Sequence, residues 1–225
     1  MRLPRMIEIN ADLRNQFGPT RDQGPRPTCL AFGMSDLHAF HRGRWQPLSC
    51  EYLFYHTQRR FSRSFETGAS LSEMRATLAE DGQPVEEDWP YLVQLPDDVD
   101  DYGPPSASTV YRRKSDRHAV DLTVIEQALL AGVPVLTVIA LSDAFYIPDQ
   151  NGIIVPVPGD LPDPNRRHAL ILTGVATLNG ERLFLARNSW GKDWGMAGYA
   201  WLSAQFLQPR LDHALILKEE VYVSA

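Results

Sequence analysis

Residues 19–40 read Pro-Thr-Arg-Asp-Gln-Gly-Pro-Arg-Pro-Thr-Cys-Leu-Ala-Phe-Gly-Met-Ser-Asp-Leu-His-Ala-Phe. A polar, proline-broken loop runs into Cys29, and an apolar-periodic helix begins there. A cysteine in the first turn of a helix sits beside unpaired backbone N–H groups and the positive end of the helix dipole. Both favour the thiolate over the thiol and make the sulfur a nucleophile near neutral pH. Gln23, on the loop upstream, can fold back and offer its amide N–H beside that sulfur. A nucleophile with a neighbouring donor suits acyl transfer, whose tetrahedral intermediate needs an oxyanion hole. The rest of the chain must then supply a base.

Outward from this stretch the first half reads as helix. Leu30, Met34, Leu37 and His41 share one face of the Cys29 helix, which Gly43 closes. Ser49 opens a second helix carrying Tyr52, Leu53, Tyr55 and His56. Ser70 and Glu73 form a capping box for a third, with Leu71, Met74 and Leu78 on its buried face and Gly82 as its stop. Trp89-Pro90-Tyr91 reads as an irregular packed segment. Residues 95–118, with Asp97, Asp98, Asp100 and Asp101, then Gly103-Pro104-Pro105 and Arg112-Arg113-Lys114, read as a polar connector between two subdomains. The acidic run within it reads as a solvated linker, not a metal site.

The second half reads mostly as strand. A helix from the Asp121 N-cap to Gly132 comes first. Val133 to Ala140 then forms a continuous apolar run, as expected of a strand covered on both faces. His168–Ala176 and Leu183–Asn188 flank Asn179-Gly180, a strong hairpin signal. Further strands are expected at 198–202 and 213–217. His-Ala-Leu-Ile-Leu occurs at both 168 and 213, and His213 reads as a packed strand histidine.

A cysteine nucleophile needs a histidine to take and return its proton, and a third group to orient the imidazole. Of the six histidines, His38 and His41 lie on the Cys29 helix, beyond reach of its own N-terminus. His56 is inside another helix, and His118 is in the connector. His168 begins a strand in the other half, and Asn188 ends that strand's hairpin partner, so its amide can reach the imidazole and fix its tautomer. A pair drawn from two subdomains meets at the cleft between them, where substrate sites commonly occur.

Gln23-Gly24, Cys29-Leu30-Ala31-Phe32, His168-Ala169-Leu170 and Asn188-Ser189-Trp190-Gly191, followed by Trp194-Gly195 and Gly198-Tyr199, resemble the papain family of cysteine peptidases. The motifs stand in that family's order. The spacings, from position 29 to 168 and to 188, fall near the roughly 130–150 residues of papain-like enzymes, the second slightly stretched. The likeness covers about residues 12–207, and Gly68-Ala69-Ser70-Leu71 through Trp89-Pro90-Tyr91 is similar to bacterial-type members.

The resemblance implies an α+β, papain-like fold of two subdomains. A helical half over about 12–105 and an antiparallel sheet or barrel over about 118–225 flank the active-site cleft, in one peptidase domain spanning 1–225. The first residues are expected to cross toward the second half and the last ones to return. It implies Cys29 as nucleophile, His168 as acid/base, Asn188 as its orienter, and Gln23 with the Cys29 backbone N–H as oxyanion hole. Trp190 would cover the His–Asn hydrogen bond. Gly68, Ala69, Ala169, Arg167 and Trp190 are the substrate-binding set. The activity expected is cysteine endopeptidase, through a thioester acyl-enzyme. Acyl transfer or isopeptide hydrolysis by the same chemistry, and a weak peptide-binding pseudo-peptidase, are the alternatives.

Three departures stand out. Arg26-Pro27-Thr28-Cys29-Leu30 replaces the family's Cys-Gly-Ser-Cys-Trp, removing the first cysteine and a disulfide with it. Arg166 and Arg167 precede the histidine, where two guanidinium groups disfavour an imidazolium or select an acidic substrate side chain. The domain is expected to be made without a pro-segment, so that activity is set by a separate inhibitor or regulator, if at all.

With 44% apolar and 22% charged residues, the composition is that of a folded soluble protein. A formal charge of −6 argues against nucleic acid and anionic membrane as partners. That leaves a peptide or protein bound in extended form. Two cysteines, Cys29 and Cys50, with one kept as a free nucleophile, fit a reducing compartment. The N-terminus has no apolar core of signal-peptide length, so a cytoplasmic location is expected. No metal or other cofactor is called for.

Overall fold

The strongest local signals resolve as real caps and turns in the computed structural model, which describes residues 7–106 and 109–221. The first six residues, part of the stretch weighed for a leader, lie outside it. In chain order the elements are β1 (Glu8–Asp12), α1 (Cys29–His41), α2 (Cys50–Arg60), α3 (Leu71–Glu80), β2 (Arg112–His118), α4 (Leu122–Leu130), β3 (Val135–Ala140), β4 (Ile153–Ile154), β5 (Arg167–Leu178), β6 (Glu181–Arg187), β7 (Tyr199–Ser203), α5 (Ala204–Leu207) and β8 (Leu211–Val221). They fall into two units. Of the described residues, one holds 16–18, 23–106, 109–116 and 217–221. The other holds residues 7–15, 19–22 and 117–216.

The first unit is helical. Ser49 Oγ accepts from Tyr52 N at 3.0 Å and donates to Trp89 O, tying the start of α2 to the segment around Trp89. At α3, Ser70 Oγ accepts from Glu73 N at 3.3 Å, and Glu73 Oε2 accepts from Ser70 N at 2.7 Å. Both bonds of the capping box are therefore made. Phe32, Met34 and Leu37 from α1, Leu53 and Phe54 from α2, and Met74 and Leu78 from α3 are fully buried. Tyr55 of α2 stacks on Phe65, and Trp89 and Tyr102 pack edge-on against this pair and tilted to each other, closing an aromatic group. Because the α3 cap is exposed and reciprocal, Ser70→Ala should lower unfolding stability by about 1 kcal/mol. Urea denaturation measures this, and an unchanged midpoint would show the box to be idle.

The connector is more ordered than its composition suggests. Tyr102 is buried in the helical core, and residues 112–118, His118 included, form β2 at the end of the strand order, beside β8. An all-polar run without alternation conceals such a strand. Edge strands tolerate and favour charge because it blocks further pairing. Arg113 donates to Lys218 O at 2.6 Å, and Lys218 pairs with Asp116 at 3.3 Å.

In the second unit the sheet runs β8-β3-β5-β6-β7-β4, with β1 added to β5 beyond the end of β3. It is antiparallel except for the β4–β7 pair. The sheet is open, not closed into a barrel: β4 is too short to carry pairing further. β5 and β6 are joined by Asn179-Gly180, both at positive φ (53° and 82°), the type I′ geometry whose twist matches the strands it joins. One face of the sheet packs on α4 and α5 through Ile125, Leu129, Val135, Ile139, Leu170, Leu172, Phe184 and Phe206. Leu183, Leu185 and Trp201 lie in a smaller cluster. A β-bulge falls in β5: Leu172 opposes Ala186 and Gly174 opposes Leu185, leaving Thr173 between them. Its carbonyl accepts from Leu13 N at 2.9 Å. A Cβ on Gly174 would stand 2.5 Å from Ala11 O, so only glycine lets β1 approach here.

Candidate active site

Cys29 is the first residue of α1 and is partly exposed; Cys50, in α2, is buried. The N-cap before Cys29, Thr28, makes no side-chain cap bond, and no acidic residue stands in the first turn. The positive end of the helix dipole is therefore not offset there by a local carboxylate. The Thr28 hydroxyl instead lies 3.0 Å from the Tyr91 hydroxyl, which donates to Gln23 O at 2.7 Å. Gln23 Nε2 donates to Arg26 O at 2.8 Å. Gln23 is thus folded back within the loop that leads to Cys29, held at its backbone carbonyl and at its side-chain amide.

Gly68 and Ala69 lie in the same unit, just before the α3 cap. A Cβ on Gly68 would stand 3.6 Å from Pro27 O, an ordinary contact, so the strip runs alongside the cysteine loop. The chain leading to it is pinned by Gln58, whose Nε2 donates to Thr67 O at 2.7 Å and to Ser64 O.

His168 and Asn188 belong to the other unit, at the open end of the β5–β6 hairpin. His168 Nε2 and Asn188 Oδ1 are 2.6 Å apart, and Asn188 Oδ1 also accepts from Ser189 N at 2.8 Å. An amide oxygen only accepts, so Nε2 carries the proton of the neutral ring and Nδ1 is left as the basic nitrogen. His168 is 4% exposed. Burial pushes its pKa down to about 4, against the Asn188 hydrogen bond, which raises it.

The two arginines before it both have carboxylate partners. Arg166 is engaged by Asp143 and Asp163, and Arg167, half-exposed, by Asp212 at 3.2 Å. Their charges are met by carboxylates, and neither is among the causes of the shift on His168.

Trp190 lies over the imidazole, ring centres 4.7 Å apart, and Tyr146 stacks on Trp190 at 5.1 Å and 14°. Phe145 packs edge-on to Trp190 at 5.3 Å, while Trp194 donates to Phe145 O. These rings keep water from the His–Asn hydrogen bond and strengthen it. Ala169 is buried in the sheet, opposite Val138.

Arg187, at 2% exposed, escaped the sequence reading. It donates to Tyr199 Oη at 2.6 Å and to Pro19 O at 2.8 Å, binding residues 19–22 into this unit. Its neighbour Asn188 drew attention because an amide fits a recognisable role, whereas a buried arginine in a strand has no signal until its partners are known. Gly198, at φ 85°, has Thr20 so close that a Cβ would stand 2.4 Å from its hydroxyl. Gly191 faces Asp22 in the same way, whereas Gly195 makes room for the Tyr199 carbonyl.

Of the remaining histidines, His38 is fully buried with Nδ1 2.9 Å from Gln83 Nε2. His213, expected to be packed, is partly exposed beside Asp212 at 3.1 Å, and Asp212 is the extra residue where β8 bulges against β3.

A family model described as "Papain family cysteine protease" matches residues 7–217. "Cysteine proteinase 3" of Dictyostelium discoideum is 22% identical over 85% of this chain. An "Uncharacterized peptidase C1-like protein" of Acanthamoeba polyphaga mimivirus is 25% identical over 87% of it. The chain spans 57% of the length of the first and 69% of the second. Among solved structures, xylellain, a cysteine protease from Xylella fastidiosa, superposes with a TM-score of 0.74 at 22% identity, covering 92% of this chain and 85% of that one. The clostridial cysteine protease Cwp84 gives 0.73 at 20% identity, over 94% of this chain and 57% of its own. At these identities the structural likeness is one of fold.

Proposed function

We propose, since the chain belongs to the papain family of cysteine proteases, that it is a cysteine endopeptidase working through a thioester acyl-enzyme. The observation that carries this reading is the buried His168–Asn188 pair beneath Trp190. That pair leaves Nδ1 as the base and fixes the ring around it.

In this reading the Cys29 thiol gives its proton to His168 Nδ1, and the sulfur attacks the scissile carbonyl carbon. The carbonyl oxygen becomes an oxyanion stabilised by the Gln23 amide N–H and the Cys29 backbone N–H. When the intermediate collapses, the C–N bond breaks and the imidazolium returns its proton to the leaving amine. A thioester on Cys29 remains. Water, deprotonated by Nδ1, then attacks the thioester and releases the carboxylic acid, and the thiol is restored. Asn188 holds the imidazole in the tautomer that both steps need. The substrate is a peptide or protein lying extended along Gly68 and Ala69.

The test is to incubate the protein with a mixed peptide pool, quench in acid and examine products and protein by mass spectrometry. New termini inside peptides and an acyl adduct on the fragment carrying Cys29 are expected. Products joined to an added amine in place of water would instead make it a transferase. Turnover with no adduct at Cys29 would rule out the thioester.

A further inference from the structure

Three residues before Cys29 stands a charged side chain that the fold has taken out of water. Arg26 is 6% exposed and its partner Glu51, from α2, is 0% exposed. The guanidinium grips the carboxylate with both arms, Nη1 to Oε2 at 2.7 Å and Nη2 to Oε1 at 2.9 Å. Glu51 also accepts from Tyr102 Oη and, at 3.0 Å, from Leu92 N, while Arg26 Nη1 donates to Leu92 O. The guanidinium carbon lies 5.1 Å from the centre of the Tyr91 ring and 5.4 Å from that of Phe54. A buried ion pair is weak evidence for stability, since apolar residues of similar volume usually serve the fold as well. Its use must be sought in what it holds in place.

It holds the carbonyl of Arg26. That oxygen accepts from Gln23 Nε2 and from Thr28 N, each at 2.8 Å. The Tyr91 ring packed against the guanidinium carries the hydroxyl that fixes Gln23 O. An amide nitrogen has two N–H donors. Binding one to the Arg26 carbonyl sets the direction of the other.

We infer that Arg26, clamped by Glu51 and backed by Tyr91, is the positioning residue that aims the Gln23 amide. The inference rests on the reading of Gln23 as an oxyanion donor. Arg26 touches no reacting atom. Its effect is exerted through Gln23 and is felt only where negative charge develops on the carbonyl oxygen.

The experiment uses the full chain and a fluorogenic peptide amide built on a sequence cleaved in the mixed pool. Arg26→Met/Glu51→Leu removes both charges together, so that neither is stranded. It should fold, as judged by circular dichroism, and lose about tenfold to a hundredfold in kcat with little change in KM. Alkylation of Cys29 by iodoacetamide displaces iodide from a saturated carbon and forms no oxyanion, so its rate should stay at the wild-type value. Added to Gln23→Ala, the pair should cost little more, because both act through one amide.

An unchanged kcat in the folded double variant, an equal loss with Gln23 absent, or a matching fall in alkylation would overturn the inference. Should the double variant not fold, Tyr91→Phe replaces it. Its kcat should fall about threefold to tenfold with alkylation unchanged, and a wild-type kcat there overturns the inference as well. If Gln23→Ala alone leaves kcat intact, it is the oxyanion reading that fails. If Gln23→Ala is impaired and the pair is not, only the role of Arg26 fails.

Discussion

Replacing Cys29 by alanine is expected to reduce kcat/KM for peptide cleavage by about a thousandfold or more, with no loss of fold. Removing the sulfur removes the only group proposed to form a covalent bond with substrate, and water held by His168 is a poor replacement. The fold should tolerate the change because Cys29 is partly exposed at the first position of α1, and alanine is the best helix former. Cys50 supplies the contrast. It is 1% exposed inside the helical core, so Cys50→Ser should cost stability and leave the activity of the folded fraction intact. Cleavage of the peptide pool by purified Cys29→Ala at more than a few per cent of the wild-type rate would end the assignment. So would a loss of activity confined to Cys50→Ser.

The second large effect is on acid stability. Burial lowers the pKa of His168 and of His41 to about 4 and holds that of His38 well below its usual value. For His38 and His41 the nearby Arg113 acts in the same direction, joined for His38 by Arg42. Glu220, 3.9 Å from His38, opposes this but is itself engaged by Arg42 at 2.7 Å.

A histidine whose folded pKa is depressed binds its proton more readily when unfolded. Its contribution is complete above about pH 6.5 and is lost as pH falls toward 4, below which both states are protonated. For His168 alone this amounts to about 3 kcal/mol. The lowered carboxylates Asp12, Glu73 and Asp160 begin to titrate only below their ordinary values near 4. The interval from 6.5 to 4 therefore belongs to the histidines. Urea midpoints of Cys29→Ala, in which no thiolate pairs with the imidazole, should fall steadily across that interval. A midpoint independent of pH between 7 and 4.5 would contradict the burial of these rings.

Much of this fold could be read ahead because the relevant signals are local. Ser70 with Glu73, Asp121 before α4, and Asn179-Gly180 between two apolar runs each state their geometry within a few residues. The two-residue turn brings the strand ends that carry His168 and Asn188 near each other, but the register that puts both side chains on one face needs the bulge at Thr173, which leaves no mark in the sequence. What stayed hidden depends on distant partners. Residues 112–118 carry no alternation and become a strand only because β8 offers an edge. Arg26 and Arg187 look like surface cations until Glu51 in one case and Tyr199 with Pro19 in the other are placed against them. Arg166 and Arg167 read as bare charges before His168, and the aspartates that engage them are not recognisable as partners in the sequence. An open sheet differs from a closed barrel only in how far its last strands extend, and the two residues of β4 leave no mark in composition.

The extra residue in β5 sets rules for insertion and deletion. On the turn side of Thr173, partners pair as Leu178 with Glu181 and Val175 with Phe184; on the histidine side, as Ile171 with Arg187. Thr173 shifts the two strands by one step relative to each other, and side chains alternate faces at every step. The imidazole and its amide are therefore brought into phase by a residue that touches neither. Lineages of this hairpin can lengthen or shorten it symmetrically about Asn179-Gly180 and keep the two groups together. A single unmatched residue gained or lost on either strand, however far from His168, moves them out of step. Length variation should accordingly collect in the loops, such as residues 156–166, while β5 and β6 change only by substitution or in matched pairs.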